Sequence, residues 1–564
     1  MIAFTFRRFS DFARSAALCA GAFACACSTH GTAPAVQGDA TTRALRAKVS
    51  TIVVIYAENR AFDNLYGNFP GAAGLGEVLD REGHPLPAYI PQRDRDGTVL
   101  PVLPPTWHGV TAAGYRPVVT QTQSMGLPNA PFSIEHAFAA QSGVTLNDSA
   151  ITRDLVHRFF EHQMQIDGGK NDGYAAWSDA GGLAMGYWDT RGSALYALAR
   201  EFVLADHFFQ GAFGGSFLNH QYHICACAPE YPSADAAPAH PSIAILEKDA
   251  AGHDLPRLQT TPKSPRSALD GKPIFALSGN ITPANYFGDG KFYAVNTMQP
   301  PFQPSGNPPA AADPSDLYAD PANATTLPPQ TAATIGARLD AKHVSWAWYA
   351  GAWNTALADG RQPPGKVRRA IYAPQTPAGS PDFQPHHQPF NYYATFDPAA
   401  GAAARAAHLK DYDDLIAESA KGRLPAVVFY KPQGNLNQHA GYASIADGDA
   451  HIADLVARLR ASPQWSGMLI VITYDEFGGA WDQVAPPRGD LLGPGARIPA
   501  IVISPFAKHA TVDHTPYDTG SVLRLITRRF DLESLPGIVR RDRAIAEHGE
   551  PPLGDLTNAL DLTR

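Results

Sequence analysis

Apolar positions along the chain fall into two rhythms. Residues 49–56 form an unbroken, β-branched apolar run, the pattern of a strand buried on both faces. Runs of the same kind recur at 425–430, 468–474 and 499–504. Elsewhere the period lengthens. Ile452, Leu455, Val456 and Leu459 are spaced i, i+3, i+4, i+7, one face of a helix, with Asp449 expected as its cap. Val522, Leu525 and Ile526 repeat the spacing, and 332–340 reads as a helix leading into an apolar run at 344–349. Strands alternating with helices predict an α/β fold with a mostly parallel central sheet and helices on both faces.

Two stretches break the rhythm. Residues 229–329 and 360–389 are rich in Pro and polar or small residues and carry little periodicity. They are expected as long, loop-rich insertions forming a lid or rim around a site, rather than as separate domains. At 564 residues the chain is long enough to bury a large core. With 45% apolar and 17% charged residues it excludes bulk disorder. The net charge of −8 and the absence of a basic block argue against a nucleic-acid partner.

The first residues change the picture of location. Arg7 and Arg8 precede a short run of small and apolar residues ending near Cys27, after which the sequence turns polar. That is the pattern of a cleaved signal peptide over 1–28, so the mature chain is expected to be exported, to the periplasm or beyond the cell. Cys25 and Cys27 each follow an alanine and offer lipidation positions, although the residues before them make a weak lipobox; membrane contact is expected only through such a lipid or a phospholipid substrate. Beyond this segment the only cysteines are Cys225 and Cys227. A bridge two residues apart closes a very tight ring, so both are expected as packed thiols.

Candidate chemistry sits at strand ends. Glu58-Asn59 follows the first apolar run and Asp475-Glu476 follows the run at 468–474. In open α/β sheets ligands bind at that edge. Adjacent carboxylates are costly together unless a cation neutralises them, and three carboxylates with an amide make an oxygen-rich site for a divalent metal. Gly211-Ala-Phe-Gly-Gly-Ser216 presents a hydroxyl beside unobstructed backbone N–H groups, a setting suited to a nucleophile next to an oxyanion. Several histidines accompany it: His136, His157, His207, His220 and His223 in the surrounding sequence, the tandem His386-His387, and His439. Imidazoles near a phosphate can hold its charge or protonate the leaving oxygen.

Taken in order, these motifs resemble a known family. The segment from Ile52 through Glu58-Asn59-Arg60-Ala61-Phe62-Asp63 to Gly67 is similar to the opening signature of the bacterial phosphoesterases that include phospholipase C and acid phosphatases, with Ala61 where a serine is common. Gly168-Gly-Lys170-Asn-Asp172, Val471 to Asp482, and Tyr517 to Arg524 resemble later segments. The resemblance covers roughly 50–535. It implies a catalytic domain over 49–535 with an alkaline phosphatase superfamily-like core, and a tail over 536–564. It also implies one divalent metal of unknown identity held by Glu58, Asn59, Ser216, Asp475 and Glu476, with Ser216 as nucleophile. His386, His387 and His439 match histidines around the phosphate, and His136 and His157 compete for a further one.

The Gly-Gly-Ser setting looks like the acid phosphatase branch, implying phosphomonoester hydrolysis through a phosphoserine. His439 is preferred as leaving-group acid, with an acidic optimum, because His386, His387 and His439 could become imidazolium below roughly pH 6.5 and meet the charge of a monoester dianion. Phospholipase C activity on phosphodiesters is the alternative, and a non-catalytic metal-binding envelope protein a second.

Overall fold

The computed structural model describes residues 39–310, 317–362, 368–373 and 382–563. The expected signal peptide, with Cys19, Cys25 and Cys27, lies outside them. Residues Ala40–Arg564 make one compact unit.

The centre is an eight-stranded sheet. Its strands are β1 (Thr51–Ala57), β2 (Val203–Ala205), β3 (Trp346–Ala350), β4 (Leu409–Asp411), β5 (Val427–Lys431), β6 (Met468–Tyr474), β7 (Ala500–Ile503) and β8 (Thr511–Asp513). Their order across the sheet is β8-β2-β7-β6-β1-β5-β3-β4. The longest runs occupy the middle: every residue of β1, β5 and β6 is buried, as a sheet covered on both faces requires. All pairings are parallel except those of β7, which runs antiparallel to both β6 and β2. A parallel return normally needs a crossover helix. Residues 475–499 between β6 and β7 are Gly- and Pro-rich and form none, so the chain doubles back.

Two expectations are corrected. The helix Ile445–Arg460 is capped by Ser444, whose side chain accepts from the Asp447 N–H. Asp449 lies inside it and caps another helix instead, its carboxylate accepting the Ala194 and Leu195 N–H groups at 2.8 and 2.9 Å. Cys225 and Cys227 are joined as a disulfide rather than packed as thiols. The αL backbone of Ala226, which ends the helix Ser216–Cys225, turns the chain between them. The segment beyond 535 packs onto this unit. Its helix Pro536–Glu547 buries Arg541, which pairs with Asp518 at 2.9 Å and Asp490 at 3.1 Å and donates to the Gly211 carbonyl at 2.8 Å. A buried guanidinium with two carboxylates is costly to undock.

Candidate functional site

β1 and β6 are parallel neighbours with Ala57 opposite Tyr474. The residues that follow them, Glu58-Asn59 and Asp475-Glu476, therefore emerge side by side at one edge of the sheet. The Asn59 N–H donates to Asp475 Oδ1 at 3.0 Å, and Arg60 N–H to the Glu476 carbonyl at 2.9 Å. All four side chains are buried. Asn59 holds a left-handed backbone (φ 53°), a conformation that asparagine tolerates better than most residues.

Ser216 opens the helix Ser216–Cys225, so its hydroxyl sits where free N–H groups favour an anion. Ser216 Oγ is 3.1 Å from Asn59 Oδ1 and 3.3 Å from Glu476 Oε1. Side chains lace the loop before it. His162 Nδ1 accepts the Gly214 N–H at 3.0 Å. Gln210 Nε2 donates to the Ala212 and Gly214 carbonyls at 2.7 and 3.0 Å, and Asn219 Oδ1 accepts the Ala212 N–H at 2.9 Å. Gly214 has φ +83°, and a Cβ there would lie 2.5 Å from Phe159 N. Only glycine allows this approach.

A cavity of about 780 Å³ opens above the serine, lined by Ser216, His157, His386 and His439 among others. His387 is not in its wall; it lies behind, with Nε2 2.6 Å from Glu58 Oε1. Of the two competing upstream histidines, His157 lies at the site, Nε2 3.3 Å from Asn59 Nδ2 and 3.6 Å from Glu476 Oε1. His136 is exposed and outside the cavity. Both insertions reach the wall, through Asn296 and Thr297 of the first and Tyr372 and Gln384 of the second.

Some site groups were not anticipated. Lys431, the last residue of β5 and so next to β1, sets Nζ 2.8 Å from Glu58 Oε1 with both side chains fully buried. A lysine ending an apolar strand was the available signal. His220, singled out only as one histidine near the serine, stacks on His387 with ring centres 5.3 Å apart and lies 3.8 Å from Asp475 Oδ2. Asp154 stands 3.5 Å from His157 Nδ1.

The electrostatics follow from burial. Burial pushes the Glu58 carboxyl up, but Lys431 and His387 outweigh it and hold Glu58 well below the usual range. Burial and the Glu58 charge push Asp475 up to about 7, and burial, only partly offset by His157, drives Glu476 well up. Burial alone would lower His157, but Glu476 and Asp154 raise it to about 9. Burial lowers His386, His387 (to about 4) and His439. The expectation that these three become cationic in mild acid, and with it the charge argument for an acidic optimum, is opposed by that burial.

The same groups fit a cation. Asp475 Oδ2 is buried with no hydrogen-bond partner, and two adjacent desolvated carboxylates face Asn59 Oδ1 and Ser216 Oγ. Such an oxygen set suits a hard divalent ion. Both Glu58 carboxylate oxygens are likewise buried without a hydrogen-bond partner; Glu58 also groups with His220 and His387, and Asp154 with His157 and His439, each trio offering ligand atoms within 4.8 Å of one another. A mixed nitrogen and oxygen set around Glu58 was not expected.

Known proteins of similar sequence include phospholipases C. Phospholipase C B of Mycobacterium tuberculosis is 30% identical over 175 residues, 26% of this chain and 32% of that protein. Non-specific phospholipase C6 of Arabidopsis thaliana is 29% identical over 147 residues, 21% and 28% of the two chains. Non-hemolytic phospholipase C of Pseudomonas aeruginosa is 28% identical over 181 residues, 26% and 24%. The matched part thus spans at most about a third of these relatives' length. The family model, in contrast, matches almost the whole described unit: over residues 49–533 this chain belongs to the Phosphoesterase family.

Proposed function

We propose that this protein is a phosphoric-ester hydrolase that cleaves phosphomonoesters through a phosphoserine at Ser216. The observation that carries the reading is the Ser216 hydroxyl at the mouth of a helix N-terminus, 3.3 Å from a buried carboxylate oxygen and open to the cavity. Ser216 Oγ attacks phosphorus as its proton passes to Glu476 Oε1. The P–O bond to the alcohol breaks opposite the attacking oxygen, and the leaving oxygen takes a proton from the cavity wall, where His157 is the imidazole whose protonated form its carboxylate neighbours favour. Water then attacks the phosphoserine, releasing phosphate and restoring the hydroxyl. A single divalent cation held by Glu58, Asn59, Ser216, Asp475 and Glu476 would lower the serine pKa and offset charge on the phosphoryl oxygens. His387 and Lys431 pair with Glu58 from behind. Asn296, Thr297, Tyr372 and Gln384 support a rim or lid role for the two insertions.

Preference for monoesters rests on the Gly-Gly-Ser setting and on the charged residues Arg153, Arg158, Asp154 and Asp179 in a wall that also carries Phe217, Tyr372 and Tyr442. A second reading, cleavage of phospholipid diesters, is favoured by the similarity to phospholipases C. Export to the periplasm or medium is inferred from the N-terminal pattern alone.

One preparation tests both readings. Phenyl phosphate and phosphatidylcholine vesicles are offered side by side, and acid-quenched enzyme is digested to locate phosphate on serine. Faster turnover of the monoester with label on Ser216, and none in Ser216→Ala, is expected. Faster turnover of phosphatidylcholine moves the assignment to the diester reading, and full kcat in Ser216→Ala removes the serine from the chemistry.

A further inference from the structure

We propose a second metal site, built by Asp206, His207 and His514 and separate from the catalytic pocket, that takes a divalent transition ion of the zinc class. β2 and β8 are parallel neighbours with Ala205 opposite Asp513. The next residue on each strand, Asp206 and His514, therefore falls in register, with His207 one step beyond. Two strands, β7 and β6, stand between β2 and β1, which carries Glu58-Asn59. None of the three residues lines the catalytic cavity.

The three side chains meet on one carboxylate. His207 Nδ1 lies 2.8 Å from Asp206 Oδ1, and His514 Nδ1 lies 2.8 Å from Asp206 Oδ2. The Ala73 N–H donates to Oδ2 at 2.8 Å and fixes the carboxylate plane. The ligand atoms all lie within 4.8 Å of one another.

Charge argues for a cation. The Asp206 side chain is fully buried, and a desolvated carboxylate needs a counter-charge. Among the described residues no lysine or arginine side chain hydrogen-bonds to its oxygens; Arg497 donates to the Asp206 backbone carbonyl and pairs with Asp63 and Asp482. Among the described residues two imidazoles and one N–H bond to it, with the Arg497 charge nearby but already shared with Asp63 and Asp482.

Geometry argues for the kind of ion. Metal–nitrogen and metal–oxygen bonds of about 2.1 Å span roughly 3.0 Å at right angles and roughly 3.4 Å at zinc's tetrahedral angle, so the two 2.8 Å contacts would open by a few tenths of an ångström. An ion seated against both carboxylate oxygens meets both Nδ1 atoms with little side-chain movement. Two imidazoles and one carboxylate favour zinc-class ions over magnesium or calcium, which prefer all-oxygen shells. His514, 61% exposed, leaves a solvent side for entry and for water ligands. The bound ion ties the edge strand β8 to β2, whose chain continues directly into the Gly211–Ser216 loop.

The test counts ions, so its outcome does not depend on the hydrolase reading. Full-length protein is stripped with chelator, reloaded with Zn²⁺ and freed of excess, and its zinc content is measured beside His514→Ala and His207→Ala. One equivalent fewer zinc is expected in each variant, with a smaller zinc-induced rise in Tm. Asp475→Asn/Glu476→Gln is expected to keep this equivalent, and adding His514→Ala to it should remove it. Unchanged zinc content in a folded His514→Ala protein overturns the proposal and leaves two histidines that only hydrogen-bond to Asp206. Because His514 is largely exposed, its removal should leave the fold, read by circular dichroism, intact.

Discussion

Lys431 Nζ lies 2.8 Å from Glu58 Oε1, and neither side chain reaches solvent. The pair joins β5 to β1 directly behind the cavity. Removing one partner of such a pair costs far more than removing both, because the survivor is a buried charge without compensation. Lys431→Met should therefore lower unfolding free energy by about 3 kcal/mol, leaving Glu58 with the imidazoles of His387 and His439. Glu58→Gln added to Lys431→Met should recover part of that loss. Urea unfolding of the two variants checks it; a double variant no more stable than Lys431→Met would show that the pair is not the source of the cost.

The carboxylates at the ends of β1 and β6 make a second prediction. Asp475 and Glu476 are adjacent and fully buried, so a bound cation stabilises the fold by relieving their repulsion. At a hundredfold excess over Kd that linkage amounts to about 2.7 kcal/mol. The gap in Tm between metal-loaded and chelator-treated protein should shrink in Asp475→Asn/Glu476→Gln, and elemental analysis should find one divalent ion fewer. An unchanged metal content in the double variant would exclude these carboxylates as ligands.

Gln210 couples the two halves of the site. Its Oε1 accepts the Phe477 N–H at 3.0 Å while its Nε2 holds the Ala212 and Gly214 carbonyls. It touches no reacting atom; it sets the distance between the Ser216 loop and the Asp475-Glu476 segment. Gln210→Leu should lower kcat about 10- to 100-fold by misplacing the nucleophile, with KM for a small phosphate ester nearly unchanged. A purely structural role would instead lower stability at constant kcat per folded molecule, so active-site titration alongside the rate decides between them.

Much of this architecture could be read in advance where a signal is local. β1, β5, β6 and β7 are apolar runs long enough to identify, and the pairs that follow β1 and β6 are polar residues at strand ends. β2, β4 and β8 have three residues each, too few to establish a period of two. What escaped depends on partners distant in sequence. Asp449 precedes an apolar helical stripe as a cap would, yet the N–H groups it satisfies belong to the helix Ala194–Glu201. Lys431 becomes a site residue only because β5 lies beside β1. The tandem histidines were recognisable as a pair, but that His386 lines the cavity while His387 turns to Glu58 is a property of the fold. Burial reverses the simplest expectation for their charge, because desolvation opposes the imidazolium more than the surrounding carboxylates favour it.

A last prediction concerns acid stability and lies away from the metal ligands. His451, on the helix Ile445–Arg460, is lodged between Tyr412 and Tyr430, and the Tyr430 hydroxyl lies 2.5 Å from its Nε2. Burial lowers its pKa to about 4, with the Asp454 charge only partly opposing. In the unfolded chain a histidine titrates near roughly 6.5. Above that value neither state carries the proton, and the group adds no slope. Between about 6.5 and 4 the unfolded state binds a proton that the folded state refuses, so stability falls as pH falls. Below the folded pKa both states are protonated and the slope vanishes. The loss is at most about 3 kcal/mol. His451→Gln keeps an acceptor for the Tyr430 hydroxyl but cannot titrate, so its unfolding free energy should decline less steeply over this window. Urea titrations at pH 7, 5.5 and 4.5 compare the two slopes; parallel curves would mean that His451 is already protonated in the folded protein.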